Sequence, residues 1–396
     1  MRRRNIFRSY NAVLGLVFIV FIAFGVSSVI VMIRSDGFVP IEKIVDEQQK
    51  GAILFNSPLS STYKHKLALH KERSAEIVVV GSSRSFQFRG YPFSESFTNL
   101  GGVISDLEYA EPFFRKLIEI HKPKIIIWAV DYQDFFESLR PGRPWRTEDD
   151  NNIFSPLGMA VTGVINWRDY WKLMVDGEVV KNFPVKLMGL SAKAMGDGFD
   201  SDGSFYHFGM SYDFLGEGEI EYTNSRESLY QGILETSLQG DGANVVQPWA
   251  LESFKSIIDY AESENVIIIP VLVPSSPTVL EIMDERPETF RLGLDRLREQ
   301  LSHYSLYFAD FVDPRDFGSS ECEFLDAYHG GEVTYLRIVL GLSEMPGSPL
   351  KPFVRRDVVQ RLIKKYENDI VITEGKIGSQ FKNAKRTSFS PMCGDI

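Results

Sequence analysis

Cysteine is nearly absent from this chain of 396 residues, which carries two, Cys322 and Cys393. That excludes a disulfide scaffold and any zinc-ribbon pattern. Histidine is scarce too, at six residues, and none groups with acidic or thiol neighbours at metal-ligand spacing. A Walker loop and a dinucleotide fingerprint are also lacking, so no metal and no cofactor is expected. Positive charge is in deficit, with 43 Lys and Arg against 53 Asp and Glu and a net charge of −10. That balance argues against a nucleic-acid binder relying on a broad basic face. What is present is ordinary for a folded protein, 44% hydrophobic and 24% charged residues, which rules out wholesale disorder. The length is that of two or three domains.

Long apolar runs are lacking except for one. From Ala12 to Ile33 the chain carries no charge, and as a helix this run crosses a hydrocarbon core of roughly 30 Å. Arg2, Arg3, Arg4 and Arg8 precede it, while Arg34 is soon offset by Asp36. The positive-inside rule then leaves residues 1–11 in the cytoplasm and sends everything after the span across the membrane. The run is too long for a signal peptide and lacks an A-x-A-like cleavage site. The expectation is a single-pass cytoplasmic-membrane protein with its main domain extracytoplasmic, periplasmic if the envelope is Gram-negative. There a Cys322–Cys393 disulfide is chemically possible, but Cys393 lies in a polar tail, and two unpaired thiols are expected.

Residues 34–74 are mixed and polar, a stalk or a packing arm. From Glu76 the pattern alternates strand and helix. Ile77–Val80, Phe97–Leu100 and Lys124–Val130 are short apolar runs that end in Gly81, Gly101 and Asp131, as buried parallel strands do. Leu107, Ala110, Phe114, Leu117 and Ile118 mark a helical stripe between the second and third. The rhythm breaks from about 132 to 247, then resumes with a helix through Leu251–Ala261 and a strand at Val266–Val273. Pro270 within that strand demotes it toward a sheet margin or a bulge. A helix through Phe290–Leu301 and a last strand at Leu306–Val312 follow. This is an α/β domain over residues 75–345, its parallel sheet covered on both faces, with a large insertion after the third strand. Residues 346–396 read as a helix and a polar tail.

Ligands of open parallel sheets bind outside the carboxyl ends of the strands. Those ends carry Gly81-Ser82-Ser83-Arg84, Asn99-Leu100-Gly101-Gly102 and Val130-Asp131-Tyr132, with Asp326-Ala327-Tyr328-His329 after the last strand. A serine there is either a helix cap or a nucleophile whose proton goes to a base held by a carboxylate. Among the six histidines, His329 is the one with an Asp three residues before it. Backbone amides of Ser83 and of Gly101 or Gly102 are candidate oxyanion donors. Between Ser82 and Ser83 the sequence does not choose. Arg84, Tyr132 and His207 are candidate substrate contacts: Arg84 holds an anionic group or forms a salt bridge. In the insertion, Trp145, Trp167, Trp171, Tyr206 and His207 either meet a sugar or pack in the core.

These motifs, Gly81-Ser82-Ser83 after the first strand, glycine after the second and D-x-x-H near the end, resemble the SGNH (GDSL-like) hydrolase superfamily. The similarity is greatest to membrane-tethered, extracytoplasmic members that work beside membrane-bound O-acyltransferases in alginate acetylation or teichoic-acid D-alanylation. The resemblance implies a three-layer, flavodoxin-like parallel sheet. It also implies Ser83 as nucleophile, His329 as base, Asp326 as its orienting carboxylate and Gly101 as an oxyanion donor. Two positions depart from the family. Ser82 stands where the GDS motif has Asp. Asp131 stands where many relatives place an Asn of the oxyanion hole, so either Asp131 is protonated, another group serves, or hydrolysis is poor.

Three functions follow as expectations. The first is a serine acyl transferase or esterase acting on acyl groups, chiefly O-acetyl, of a cell-envelope glycan or an acylated carrier. The second is a non-catalytic assembly partner of an integral-membrane O-acyltransferase. The third is a glycan-binding protein without catalysis.

Overall fold

The computed structural model describes residues 10–383 other than 12, 20–25, 27–29, 31–32, 38, 58–60, 105–106, 137–182, 209–244 and 285–286. Five parallel strands form its main sheet. Two further helices and a short strand precede it in the chain: α1 (Ile41–Lys50), β1 (Ile53–Phe55) and α2 (Thr62–Arg73). The sheet strands are β2 (Ile77–Gly81), β3 (Phe97–Gly101), β4 (Ile125–Val130), β8 (Ile267–Leu272) and β9 (Ala309–Asp310), in the spatial order β3-β2-β4-β8-β9. Within this sheet that is the doubly wound order 2-1-3-4-5, whose switch point lies beside its first strand.

Both faces of the sheet are apolar, because successive side chains point to opposite sides. Val78, Val80, Ile126, Trp128 and Leu272 face one layer, built from α3 (Ala110–Ile120), α5 (Pro248–Ser263) and α7 (Pro287–Tyr304). Ile77, Val79, Ile127, Ile269 and Val271 face the other, where α8 (Glu332–Glu344) and α9 (Arg356–Lys365) lie. The basic amphipathic helix α9 buries Val359 and Leu362 in that layer.

Pro270 sits at a margin for a definable reason. Ile267 and Val273 direct their amides to β4, through Lys124 O and Val130 O. By alternation the missing N–H of Pro270 faces the β9 side, one residue before β9 pairs with Val271. The strand anticipated at Leu306–Val312 shrinks to Ala309–Asp310, a correction: Leu306 is 88% exposed and has no buried face to anchor it in the sheet.

A second sheet, not legible in the irregular sequence, joins the 34–74 segment to the insertion. Its order is β5 (Lys186–Met188), β1, β6 (Gly198–Phe199) and β7 (Phe205–Tyr206). It is docked beside the carboxyl end of β3: Asn99 N donates to Asp202 O at 2.7 Å, and Phe205 N to Phe86 O at 3.1 Å. The fully buried Lys66 of α2 donates to Asn99 O and Gly203 O at the same junction. Short α4 (Leu190–Met195) follows β5, and α6 (Pro277–Asp284) follows β8.

The apolar span 12–33 lies largely outside the described residues, and no described helix is long and apolar enough to cross a membrane. Within that span Val13, Leu14, Leu16, Val17, Phe18 and Ile19 are helical and exposed. Cys322 is disulfide-bonded and there is no free cysteine among the described residues, which corrects the expectation of unpaired thiols. Cys393, the other cysteine, lies outside the described residues.

Candidate active site

Strand β2 ends on Gly81, where a Cβ would meet Ala129 O of β4 at 2.7 Å. The chain then turns through a short 3-10 helix, Ser83–Ser85. Ser82 caps this turn, its Oγ accepting from Arg84 N at 3.2 Å. Ser83 occupies its first position, where the amide has no partner within the turn, and its hydroxyl is 2.9 Å from His329 Nε2. Ser83, not Ser82, meets the imidazole.

His329 stands on a tight loop before α8. Leu325 N donates to His329 O at 2.8 Å, and Phe324 pairs with Gly330. Asp326 organises the loop from inside: its Oδ1 accepts the amides of Tyr328 and His329, both at 2.8 Å, and its Oδ2 lies 2.8 Å from His329 Nδ1. Burial alone would raise this carboxyl. The facing His329 ring and these hydrogen bonds outweigh it and hold it near 2. The order hydroxyl, imidazole, carboxylate is thus closed by two hydrogen bonds at the carboxyl edge of the sheet, with Nε2 directed at the hydroxyl and Nδ1 at the acid. A hydroxyl so placed can pass its proton to the ring as it attacks a carbonyl.

Oxyanion donation is where the anticipated residues do not serve as expected. The Gly101 amide donates to Asn99 Oδ1 at 2.7 Å. Gly102 N donates to Gly81 O at 2.9 Å and Ser82 O at 3.1 Å. Both amides are thus already engaged. Asp131 forms an ion pair with Arg84, Nη1 to Oδ1 at 2.8 Å, and both side chains are largely buried. Its carboxylate accepts a hydrogen bond there and donates none, which corrects its placement among oxyanion donors. Ser83 N is the remaining candidate of the set.

Of the two readings for Arg84, a substrate contact for an anionic group or a salt bridge, the structure shows the second. Arg84 Nη2 donates to Val273 O at 2.9 Å and Pro274 O at 2.6 Å, and its Nε to Tyr328 O at 3.2 Å. Tyr132 is buried beneath it, its hydroxyl directed at Met283 Sδ 3.9 Å away, and it packs in the core rather than facing a ligand. His207 follows β7, its ring 4.6 Å from that of Phe205. Burial holds its imidazole near 3, and the charge of His329 acts on it in the same direction while Asp326 opposes. Of the three anticipated substrate contacts, His207 is the one set in the electrostatic field of the triad. Tyr206 is buried against Phe208 and under Arg89, while Trp145, Trp167 and Trp171 lie outside the described residues. No group of His, Cys, Asp and Glu among the described residues suits a metal ion.

The side chain of Asn99 and the hydroxyl of Tyr335, which donates to Arg84 O, were not singled out from sequence. Asn99 lies within β3 and Tyr335 within α8, and no local pattern there marks a polar role. Neither a family model, nor a curated protein, nor a solved structure matches the chain.

Proposed function

We propose that this protein is a membrane-anchored serine acyl transferase or esterase of the SGNH type, acting outside the cytoplasmic membrane on acyl groups of a cell-envelope glycan or an acylated carrier. Ser83 is the nucleophile, His329 the base and Asp326 the group that fixes its tautomer. The observation that carries this is the unbroken chain from Ser83 Oγ to His329 Nε2 at 2.9 Å and from His329 Nδ1 to Asp326 Oδ2 at 2.8 Å. Support for the fold assignment comes from the 2-1-3-4-5 strand order and from the site's place at the carboxyl ends. Support for the location comes from the exposed apolar residues at 13–19 and from the disulfide at Cys322, a bond that persists in oxidising compartments.

The test is labelling of the full-length protein, in detergent, by a fluorophosphonate probe. Wild type is expected to label and Ser83→Ala not to. Labelling that survives Ser83→Ala removes Ser83 from the role.

A second reading, a non-catalytic partner of an integral-membrane O-acyltransferase, is favoured by one observation: Asp131 and the Gly101 amide are engaged elsewhere. Complementation of a deletion strain separates the two, because an assembly partner tolerates His329→Ala and an enzyme does not.

A further inference from the structure

We infer that Arg84 is a positioning residue for the Ser83–His329 pair, and that Asp131 is its counter-charge rather than a member of an oxyanion hole. The inference rests on the catalytic reading of the triad given above and adds to it a residue that acts on two of its members at once.

The geometry is specific. Arg84 follows the nucleophile directly, and its guanidinium reaches three other segments. It meets the end of β4 through Asp131 Oδ1 at 2.8 Å, the end of β8 through Val273 O at 2.9 Å and Pro274 O at 2.6 Å, and the His329 loop through Tyr328 O at 3.2 Å. Tyr335 of α8 closes the arrangement from below by donating to the Arg84 carbonyl. One planar cation therefore spans the carboxyl ends of the central strands and the residue next to the base. Four hydrogen bonds in divergent directions need the rigid fork of a guanidinium, which an ammonium does not reproduce.

The charge arithmetic explains Asp131. A guanidinium with 7% of its side chain accessible loses most of its hydration. Carbonyl oxygens compensate part of that, but a buried cation needs a counter-ion. Burial disfavours the charged guanidinium, and Asp131, first among neighbours that include Tyr132 and Tyr335, helps to outweigh it. An asparagine at 131 would leave the cation unneutralised. The residue that departs from the family pattern and the arginine that follows the nucleophile are in this way one device.

Two measurements on the full-length protein test this, with variants Arg84→Lys, Arg84→Ala and Asp131→Asn. The first is the rate of fluorophosphonate labelling; the second is hydrogen–deuterium exchange over residues 326–331. A misplacement near 1 Å at a reacting pair costs on the order of 10²-fold in rate, so Arg84→Lys and Arg84→Ala are expected to label about that much more slowly. Exchange in the loop should rise in both. Millimolar guanidinium should restore part of the labelling of Arg84→Ala, a rescue that a merely unfolded variant does not show. Asp131→Asn should label more slowly than wild type. Wild-type labelling rates in Arg84→Lys, or a gain in Asp131→Asn, would overturn the inference, the gain because it would make residue 131 an oxyanion donor. If wild type itself fails to label, the catalytic reading falls, and unchanged loop exchange in Arg84→Ala then removes the clamp as well. Raised exchange in that case leaves the clamp standing as the anchor of the 326–331 loop.

Discussion

Asn99 Oδ1 accepts the Gly101 amide at 2.7 Å, while Asn99 Nδ2 donates to Ser85 O at 2.8 Å and Phe88 O at 3.0 Å. One fully buried amide side chain thereby fastens the end of β3 to the segment that carries Ser83. Its two ends have opposite jobs, so Asn99→Asp is informative: the acceptor for Gly101 survives, and the donor is replaced by an oxygen facing carbonyls. The expected cost is about 3 kcal/mol in unfolding free energy, that of a buried polar group set against the wrong partner. Chemical denaturation measures it. A variant as stable as wild type would mean that the turn is held by other contacts.

Ser82 and Ser83 are adjacent, yet the structure gives them unrelated tasks. Ser82→Ala removes a cap and should lower stability by about 1 kcal/mol with labelling at Ser83 retained. Asp326→Asn keeps the size of the side chain and removes the charge that fixes the His329 tautomer. In triads of this kind that change costs roughly 10⁴ in rate. The carboxyl sits near 2 in the folded protein, so above about pH 4 Asp326 contributes no titration to the rate profile. Labelling rates of the two variants across pH check both statements. A slow Ser82→Ala with an unimpaired Asp326→Asn would reverse the assignment.

The sheet was legible because its central strands are short apolar runs rich in β-branched residues, and because the helices between them keep a 3.6-residue period. The triad was legible because all three residues lie at strand ends or in the loop after the last strand, where topology collects them. What stayed hidden has a common cause. The β6–β7 hairpin is two residues per strand, too short to show a period, and it is fixed by distant partners such as Gln48, whose Nε2 donates to Phe199 O at 2.8 Å. The Asp131–Arg84 pair was legible only in part for a related reason: a salt bridge was one of two readings for Arg84, but its partner is 47 residues away, and sequence spacing does not name it. The disulfide state of Cys322 was misread because its neighbours in sequence do not reveal its environment.

Cys322 lies four residues before Asp326 and is disulfide-bonded. Protein purified without reductant should therefore leave the Cys322 peptide unmodified by an alkylating reagent under denaturing conditions, and should show it modified after reduction. Mass spectrometry reads both. Full alkylation before reduction would place the chain in a reducing compartment and count against the proposed extracytoplasmic location.

His65 gives the stability a defined pH dependence. It is buried to 1% exposure between Phe55 and Phe199, with Nε2 2.8 Å from Gln48 Oε1. Burial, and then the neighbouring Lys66, lower it to about 3. The unfolded chain takes up this proton near pH 6.5, so between those values unfolding binds a proton and acid favours it. Stability should fall with decreasing pH by about 1.4 kcal/mol per unit from this residue alone, with nothing lost above about pH 7. His65→Gln keeps a donor for Gln48 and does not titrate. Its denaturation midpoints should show a correspondingly shallower slope between about pH 6 and 4, and an unchanged slope would mean that His65 is protonated in the fold.

Arg89 and Glu332 form the most buried ion pair of the described residues, 2.8 Å apart with side chains 3% and 0% accessible. Glu332 opens α8 three residues after His329. Its second oxygen accepts from Tyr91 Oη at 3.2 Å and Ile372 N at 3.3 Å. Arg89 reaches the other way, donating to Phe205 O at 2.9 Å and lying over the Tyr206 ring. The pair thus joins the loop that carries His329, the insertion hairpin and the C-terminal segment. Glu332→Gln leaves a buried cation without its charge and should cost about 3–5 kcal/mol. Replacing both partners, Arg89→Met with Glu332→Leu, should recover much of that stability, since apolar side chains need no counter-ion. Labelling of Ser83 should nevertheless remain impaired in the double variant, because the hydrogen bonds that orient the start of α8 are gone. If stability and labelling return together, the pair serves packing alone and the placement of His329 does not depend on it.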